Sequence, residues 1–194
     1  MKKIVLTTLC AMSVFFSNAQ TNPAGLEVHT KAPGFSAKDQ NGKVISLQEE
    51  LKKGKVVLIF YRGQWCPYCN KELKSIEDSL SLITSKGATV LAVTPELPGN
   101  ILKTIDKTKA SYSILFDDGL QIMKAYDVAF TMDSSTVKKY KDYGLDFAQA
   151  NGSNGANLPV PAVYIIDTKG NIIYRYFDSD YRYRDTVKEI ADHL

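Results

Sequence analysis

Two cysteines three positions apart, Cys66 and Cys69, are the residues of this chain whose types and spacing could do chemistry. They follow an apolar run at residues 56–61, which is typical of a buried strand, and they precede apolar residues spaced as on an amphipathic helix. The pair therefore falls in the first helical turn, where unpaired N–H groups and the helix dipole favour a thiolate over a thiol. This pattern predicts a dithiol redox site.

Two other uses of the pair carry less weight, although the sequence leaves both open. A structural disulfide closing so short a loop would stabilise the fold by about 2 kcal/mol, against about 5 kcal/mol for a long loop. A zinc site needs two further ligands, and the chain offers only His29 and His193, which lie far apart in sequence. Redox chemistry is therefore favoured.

The first 19 residues have the pattern of a secretory signal peptide. Lys2 and Lys3 precede an apolar run at residues 4–16, and small residues then offer a cleavage site after Ala19. The run is too short for a stable membrane span. Lipid attachment at Cys10 is disfavoured, because the residue directly before it is Leu9 rather than a small residue and the apolar run continues beyond it. We therefore expect an exported protein without a lipid anchor.

Composition excludes some partners and supports a single domain. Removal of the two N-terminal lysines leaves 22 basic and 21 acidic residues. This near-neutral balance does not favour nucleic-acid binding. No other apolar run is long enough to span a membrane, so no stable membrane span is expected. The remaining 175 residues are enough for one domain with its own core.

Strands and helices alternate along the rest of the chain, after a flexible lead-in at residues 20–30. The predicted order is a hairpin at 33–47, a short helix at 48–53, the strand and helix around the cysteines, a strand at 89–94, a helix at 100–109, a strand at 112–116, a helix after residue 119, an irregular insert at 127–158, a hairpin at 162–177 and a final helix at 183–194. Such alternation predicts an α/β domain with a mixed central sheet flanked by helices.

Two segments carry a resemblance to a known family. They are FYRGQWCPYC at residues 60–69 and LPVPAVYIID at residues 158–167, and the tail DSDYRYR at residues 178–184 resembles one branch of the same family. The chain resembles the thioredoxin superfamily, and more narrowly the alkyl hydroperoxide reductase/thiol-specific antioxidant (peroxiredoxin-like) family. The resemblance covers residues 31–194 and implies a thioredoxin-like fold with an N-terminal hairpin and an irregular insert.

The resemblance implies thiol–disulfide exchange as the first reaction. Cys66 would attack as a thiolate, and Cys69 would resolve the mixed disulfide. Pro67 begins a glutaredoxin-like spacer between them. Trp65 would shield the site or simply pack in the core, and Glu72 would tune the dithiol or lie as a favourable charge on the first helical turn.

The later segment contributes a proline. By the resemblance, the bond between Val160 and Pro161 is expected to be cis and to face the cysteines, where it would present backbone to a bound partner. The alternative is an ordinary trans proline that opens an edge strand.

A peroxidase is the second reaction that the resemblance implies. Cys69 would attack a peroxide and become a sulfenic acid, which Cys66 would resolve. When the chain is aligned on residues 60–61, the family's threonine, proline and later arginine fall on Cys66, Arg62 and Pro161. Arg62 could still supply positive charge, or it could form a surface ion pair. Because three supporting residues are replaced, disulfide exchange is favoured.

A non-catalytic interaction module is the third alternative, with the aromatic and basic residues at 174–184 as a docking surface or as an ordinary outer strand. The expected partners are a protein dithiol or disulfide that donates or accepts electrons, with a peroxide as the substrate of the rival reaction. No cofactor is expected beyond the dithiol itself. The signal and the resemblance together indicate the bacterial periplasm.

Overall fold

A computed structural model describes residues 22–194, so the predicted signal peptide at residues 1–19 lies outside the described part of the chain. The elements are β1 (Ser36–Lys38), β2 (Val44–Ser46), α1 (Leu47–Leu51), β3 (Lys55–Phe60), α2 (Pro67–Asp78), α3 (Leu80–Thr84), β4 (Ala88–Thr94), α4 (Pro98–Thr108), β5 (Ser113–Phe116), α5 (Gln121–Ala125), β6 (Ala129–Thr131), α6 (Ser134–Asp142), α7 (Phe147–Asn151), β7 (Asn157–Pro159), β8 (Ala162–Ile166), β9 (Ile172–Phe177) and α8 (Val187–Asp192). None of the helices within residues 22–194 is long and apolar enough to cross a membrane.

Five strands form the central sheet in the order β5-β4-β3-β8-β9. The strand β3 runs parallel to β4 and antiparallel to β8, while β4 and β5 are parallel and β8 and β9 antiparallel. The sheet is therefore mixed, as predicted. After Lys55, the middle strand β3 is an unbroken apolar run, because helices cover both faces of the sheet.

Side chains alternate along β3 between two core layers. Val56, Leu58 and Phe60 pack into the layer that contains residues of α1 and α5. Val57 and Ile59 pack into the opposite layer, beneath residues of α2, α4 and α8. Helix α2, which carries the cysteines, is thereby fixed against one face of the sheet.

Two predicted helices differ in their bounds from the observed ones. The cysteine helix was expected to continue to Gly87, but it breaks at Ser79 into α2 and α3. The final helix starts at Val187 rather than at residue 183, because the Thr186 side chain accepts a hydrogen bond from the Glu189 backbone and caps the helix there. The segment before Thr186 is not helical, and it places the Arg184 side chain against Cys69.

The prediction of an irregular insert at residues 127–158 is wrong for much of that segment, although its charged stretch at 138–143, expected to be helical or solvated, does lie largely in a helix. It holds the two-stranded sheet of β6 and β7 and the helices α6 and α7. Asp133 and Asp146 begin the two helices by accepting hydrogen bonds from backbone N–H groups of their first turns. These elements are short and α6 has no buried residue, so the hydrophobic periodicity that reveals a helix is weak there.

The predicted lead-in at residues 20–30 makes hydrogen bonds to the domain over its described part. The Gly25 N–H donates to the Asp127 carbonyl at 2.9 Å, and the His29 N–H donates to the Ile172 carbonyl at 2.8 Å. The Leu26 N–H donates to the Tyr164 hydroxyl at 3.0 Å. These partners lie more than a hundred positions away, so the sequence around residues 22–30 carries no local sign of them.

Candidate active site

The two cysteines begin helix α2, directly after the turn that leaves β3. Cys66 is the N-cap residue, and Pro67 takes the first helical position, where its missing N–H does no harm. The Cys69 N–H donates to the Cys66 sulfur at 3.4 Å, and the Cys69 thiol donates to the same sulfur at 2.8 Å. The two cysteines are not joined by a disulfide in this structure, and both are buried. The geometry brings two thiols into direct contact at a helix start.

The two thiols differ in acidity. The hydrogen bond from Cys69 is the largest cause that lowers the pKa of Cys66 to about 7, and the guanidinium groups of Arg62 and Arg184 lower it further. Burial is the largest cause that raises the pKa of Cys69 well above its ordinary value. At neutral pH the arrangement therefore favours a thiolate on Cys66 and a neutral thiol on Cys69.

Glu72 and Arg184 form a buried ion pair behind Cys69. The Arg184 Nε donates to Glu72 Oε2 at 2.6 Å, and its Nη2 donates to the Cys69 sulfur at 3.4 Å. Burial raises the pKa of Glu72 to about 8, although the arginine opposes the shift. The sequence predicted that Glu72 could tune the dithiol, but it placed Arg184 only in the aromatic and basic cluster at 174–184, as part of a docking surface or an outer strand. The tail's resemblance to one branch of the family was the one signal that could have found it.

Arg62 is buried, so the expectation that it forms an ion pair on the surface is wrong. Only 4 % of the residue is exposed. Its guanidinium lies 4.9 Å from the ring centre of Trp65 and 4.2 Å from that of Tyr181, and its Nη2 donates to the Tyr140 hydroxyl at 3.1 Å. Stacking between aromatic faces stabilises a guanidinium that is cut off from water.

Trp65 connects the cysteine loop to the insert. Its ring makes edge contacts with Tyr140 at 5.2 Å and Phe147 at 5.6 Å between ring centres. Tyr68, in the spacer, makes a similar contact with Tyr181 of the tail at 5.8 Å. Aromatic side chains from the insert and the tail therefore pack against Trp65 and Tyr68, which lie on either side of Cys66 in the sequence.

The bond between Val160 and Pro161 is trans, so the cis prediction is wrong. The Val160 N–H donates to the Val128 carbonyl at 2.8 Å, and the Pro161 carbonyl accepts from the Asp178 N–H at 3.4 Å. The backbone N–H before this bond and the carbonyl after it are therefore both hydrogen-bonded. Trans is also the isomer of lower free energy for an X–Pro bond. Both residues still line one cavity together with Arg62.

Glu96 is a buried carboxyl that the sequence did not reveal. It lies in the loop between β4 and α4, with 0 % of the residue exposed. Its Oε2 accepts from the Gln64 N–H at 2.7 Å, while its Oε1 has no hydrogen-bond partner. Burial raises the pKa of Glu96 to about 8. A lone glutamate in a loop carries no periodic or spacing signal, so nothing in the sequence marked it.

The fold and the paired thiols define a thioredoxin-like protein, and comparison with known sequences names the family. Residues 28–175 match the AhpC/TSA family, and the chain belongs to it. Thiol-disulfide oxidoreductase ResA of Bacillus subtilis (strain 168) is 30 % identical over 131 residues, covering 65 % of this chain and 70 % of that protein. The chloroplastic peroxiredoxin Q of Arabidopsis thaliana is 36 % identical over 97 residues, covering 50 % of this chain and 44 % of that protein. The protein is therefore one of the thiol-based oxidoreductases.

Solved structures show the same fold. Peroxidoxin BcpB from Mycobacterium tuberculosis superposes with a TM-score of 0.67 at 17 % identity, covering 87 % of this chain and 96 % of that one. The thioredoxin domain of a thiol-disulfide oxidoreductase from Bacteroides vulgatus gives a TM-score of 0.56 at 19 % identity, covering 86 % and 99 %. The predicted thioredoxin-like fold is confirmed.

Proposed function

We propose that the protein is an exported thiol–disulfide oxidoreductase that uses Cys66 as nucleophile and Cys69 as resolving thiol. The observation that carries the proposal is the contact between the two sulfur atoms at the start of α2, with Cys69 donating to Cys66. This direction of the hydrogen bond stabilises a thiolate on Cys66. It also holds the resolving thiol within reach of any mixed disulfide formed there.

The reaction follows from this arrangement. The Cys66 thiolate attacks one sulfur of a substrate disulfide, forms a mixed disulfide and releases the first substrate thiolate. The Cys69 sulfur then attacks Cys66, its proton leaves with the second substrate thiol, and a disulfide between Cys66 and Cys69 remains. The substrate gains two electrons and the dithiol loses them. A dithiol donor protein restores the reduced state, and the pair itself carries the electrons without another cofactor.

Export to the bacterial periplasm is part of the proposal and depends on residues 1–19, which have the signal pattern. An envelope compartment is where disulfides form and need reduction or exchange. ResA is a thiol-disulfide oxidoreductase by name, and its similarity supports the exchange reaction.

The test uses single cysteine variants in the full chain with Cys10→Ser, so that only two thiols remain. Cys66→Ser should abolish turnover of a model disulfide, because the nucleophile is gone. Cys69→Ser should complete the first attack and then stop as a mixed disulfide that mass spectrometry detects as an adduct on Cys66. Equal activity of either variant and the parent would refute the proposal, and so would an adduct that forms only on Cys69.

A thiol peroxidase is the second candidate, and Arg184 is the observation that favours it. Its guanidinium lies against the sulfur of Cys69, where positive charge would stabilise a thiolate attacking a peroxide. The peroxiredoxin relatives support the same reaction. Against it, Cys69 is fully buried and its pKa is raised. Stopped-flow oxidation by hydrogen peroxide decides: rapid oxidation that needs Cys69 but not Cys66 would establish the peroxidase, and oxidation no faster than that of a free thiol would exclude it.

A further inference from the structure

A cavity of about 440 Å³ opens beside the cysteine loop. It lies between Arg62, the insert and the segment that contains Val160 and Pro161, and its wall includes Tyr140 and Tyr181. A cavity of this size accommodates a small molecule or a short side-chain-sized group rather than a folded surface.

Arg62, the cation on the wall of this cavity, lacks a counter-ion among the described residues. No carboxylate oxygen in residues 22–194 lies within ion-pair distance of the Arg62 guanidinium. Its Nη2 donates to the Tyr140 hydroxyl, while Nε and Nη1 have no hydrogen-bond partner. The one carboxylate that lines the cavity, Asp133, is exposed and accepts hydrogen bonds from Ser135 and Thr136 instead. A buried charge without a partner costs free energy, and an anionic ligand would remove that cost.

The cation also lies close to the reacting sulfur. The Arg62 guanidinium lies over the ring of Trp65, the residue directly before Cys66, and its positive charge is among those that lower the pKa of Cys66. The cover over its unpartnered nitrogens includes Tyr181, whose ring lies against the guanidinium although the residue is 39 % exposed. Rotation of this exposed side chain would open the guanidinium to the cavity. An anion bound there would be next to a disulfide held at Cys66.

We propose that this cavity binds the carboxylate of a small disulfide substrate, with Arg62 as the anchoring cation and the substrate's sulfur at Cys66. The inference rests on the proposed exchange reaction and narrows its substrate to low-molecular-weight disulfides that carry a carboxylate a few bonds from the sulfur. Cys66 attacks the near sulfur and displaces the far half as a thiolate. Cys69 then displaces the bound half as a thiol, and the disulfide between the two cysteines is left.

The first test compares two disulfides of similar size in single turnover with the reduced full chain carrying Cys10→Ser. One is 3,3′-dithiodipropionate, which is anionic, and the other is bis(2-hydroxyethyl) disulfide, which is neutral. Each rate is divided by the rate of a simple thiol with the same disulfide. The parent should prefer the anion by about tenfold or more, since a hydrogen bond between charged groups contributes at least that factor. Arg62→Gln should abolish the preference.

The ratio of the two rates separates substrate binding from thiol activation. Loss of Arg62 also changes the acidity of Cys66, but that change slows both disulfides equally and cancels in the ratio. Arg175→Gln is the matched control, because Arg175 pairs with Glu27 away from the cysteines, and it should keep the preference. An unchanged ratio in Arg62→Gln, or a parent without preference, would overturn the inference.

A second pair of variants covers the case in which Arg62→Gln does not fold. Thr136 lines the cavity and occupies the third position of α6, where glutamate is favourable for the helix. Thr136→Glu adds an anion to the cavity and should weaken the preference severalfold. Thr136→Gln adds the same bulk without charge and should retain it. Equal effects of the two variants would contradict an anion site.

Binding can also be measured without any redox step. Trp65 is the only tryptophan of the chain, and the Arg62 guanidinium lies over its ring. Titration with 3,3′-thiodipropionate, an unreactive thioether, should change its fluorescence in the parent and in Cys66→Ser, but not in Arg62→Gln. If both disulfides react no faster with the protein than with a free thiol while the thioether still binds, the exchange function fails and the anion site stands. Reaction with both disulfides but no binding and no preference would refute the site alone.

Discussion

Arg184 places a guanidinium nitrogen 3.4 Å from the sulfur of Cys69, although 115 positions separate the two residues in sequence. The same guanidinium holds Glu72 in a buried ion pair, with the two side chains 10 % and 5 % exposed. The segment that precedes α8 therefore contacts Cys69, while the insert packs against Trp65, the residue before Cys66. Both segments lie outside the strand and helix that carry the cysteines.

We expect Arg184→Ala to lower the free energy of unfolding by about 1–3 kcal/mol, because Glu72, whose pKa of about 8 keeps it mostly protonated at neutral pH, is left buried without its hydrogen bond. The double variant Arg184→Met with Glu72→Leu should recover most of the loss, since both polar groups are then replaced by apolar ones. Urea unfolding of the reduced protein measures both effects.

The control for this prediction is Arg182→Ala. Arg182 pairs with Asp180 two positions away near the surface, where the arginine side chain is 60 % exposed, so its loss should change the urea midpoint little. Equal destabilisation by the two arginine variants would show that the buried pair contributes nothing particular to stability.

Cys69→Ala should raise the pKa of Cys66, because it removes the hydrogen bond that is the largest cause of the lowered value. The parent, with Cys10→Ser, should be alkylated at Cys66 by iodoacetamide with a midpoint near pH 7, and the alanine variant several-fold more slowly at that pH. Cys69→Ser is the matched control, since its hydroxyl can still donate to Cys66. A midpoint that is the same in all three proteins would contradict the assignment.

The strand and helix around the cysteines were predictable because their signals are local. The apolar run before Cys66 and the helical spacing after Cys69 are visible within twenty residues, and the observed β3 and α2 follow them. The mixed sheet followed from the alternation of such elements. These parts depend on periodicity, which a single sequence displays.

The surroundings of the dithiol were not predictable in the same way. Arg62, Glu96 and Arg184 reach the site from a turn, a loop and the tail, and no spacing rule relates these positions. Their burial is also contrary to the usual preference of charged residues for the surface. The resemblance drew attention to Arg62 and to the tail, but only the packing of the insert and the tail shows that both arginines are buried.

Gly63→Ala should destabilise the protein by about 1–3 kcal/mol, as expected for overpacking. A β-carbon at Gly63 would lie 2.5 Å from Trp65 Nε1 and 2.7 Å from the Glu96 carboxyl carbon, so the indole or the carboxylate must move. Thermal unfolding and Trp65 fluorescence measure the two consequences. Gly99→Ala is the control, because a β-carbon there meets no atom within 4 Å and alanine is the better helix former in α4, so thermal stability should not fall and Trp65 fluorescence should not change. Identical results for the two glycines would refute the close packing.

Glu96 gives the folded state a dependence on pH whose sign is fixed by its environment. Burial raises the pKa of this carboxyl to about 8 in the folded protein, above its ordinary value of 4.5. The folded state therefore binds the proton more tightly than the unfolded state does. The contribution of this proton to the free energy of unfolding is fully present below pH 4.5. It decreases as the pH rises from 4.5 to about 8, where the folded protein also loses the proton.

Glu96→Gln should remove this dependence. An amide cannot ionise, its oxygen can still accept from the Gln64 N–H, and burial no longer opposes a charge. The variant should match the parent in urea unfolding at pH 4.5 and become progressively more stable than the parent towards pH 8, by a few kcal/mol at most. Glu49→Gln is the control, because that side chain is 62 % exposed, and its difference from the parent should stay constant over the same range. A constant difference for Glu96→Gln as well would mean that the carboxyl at position 96 ionises equally readily in the folded and unfolded states.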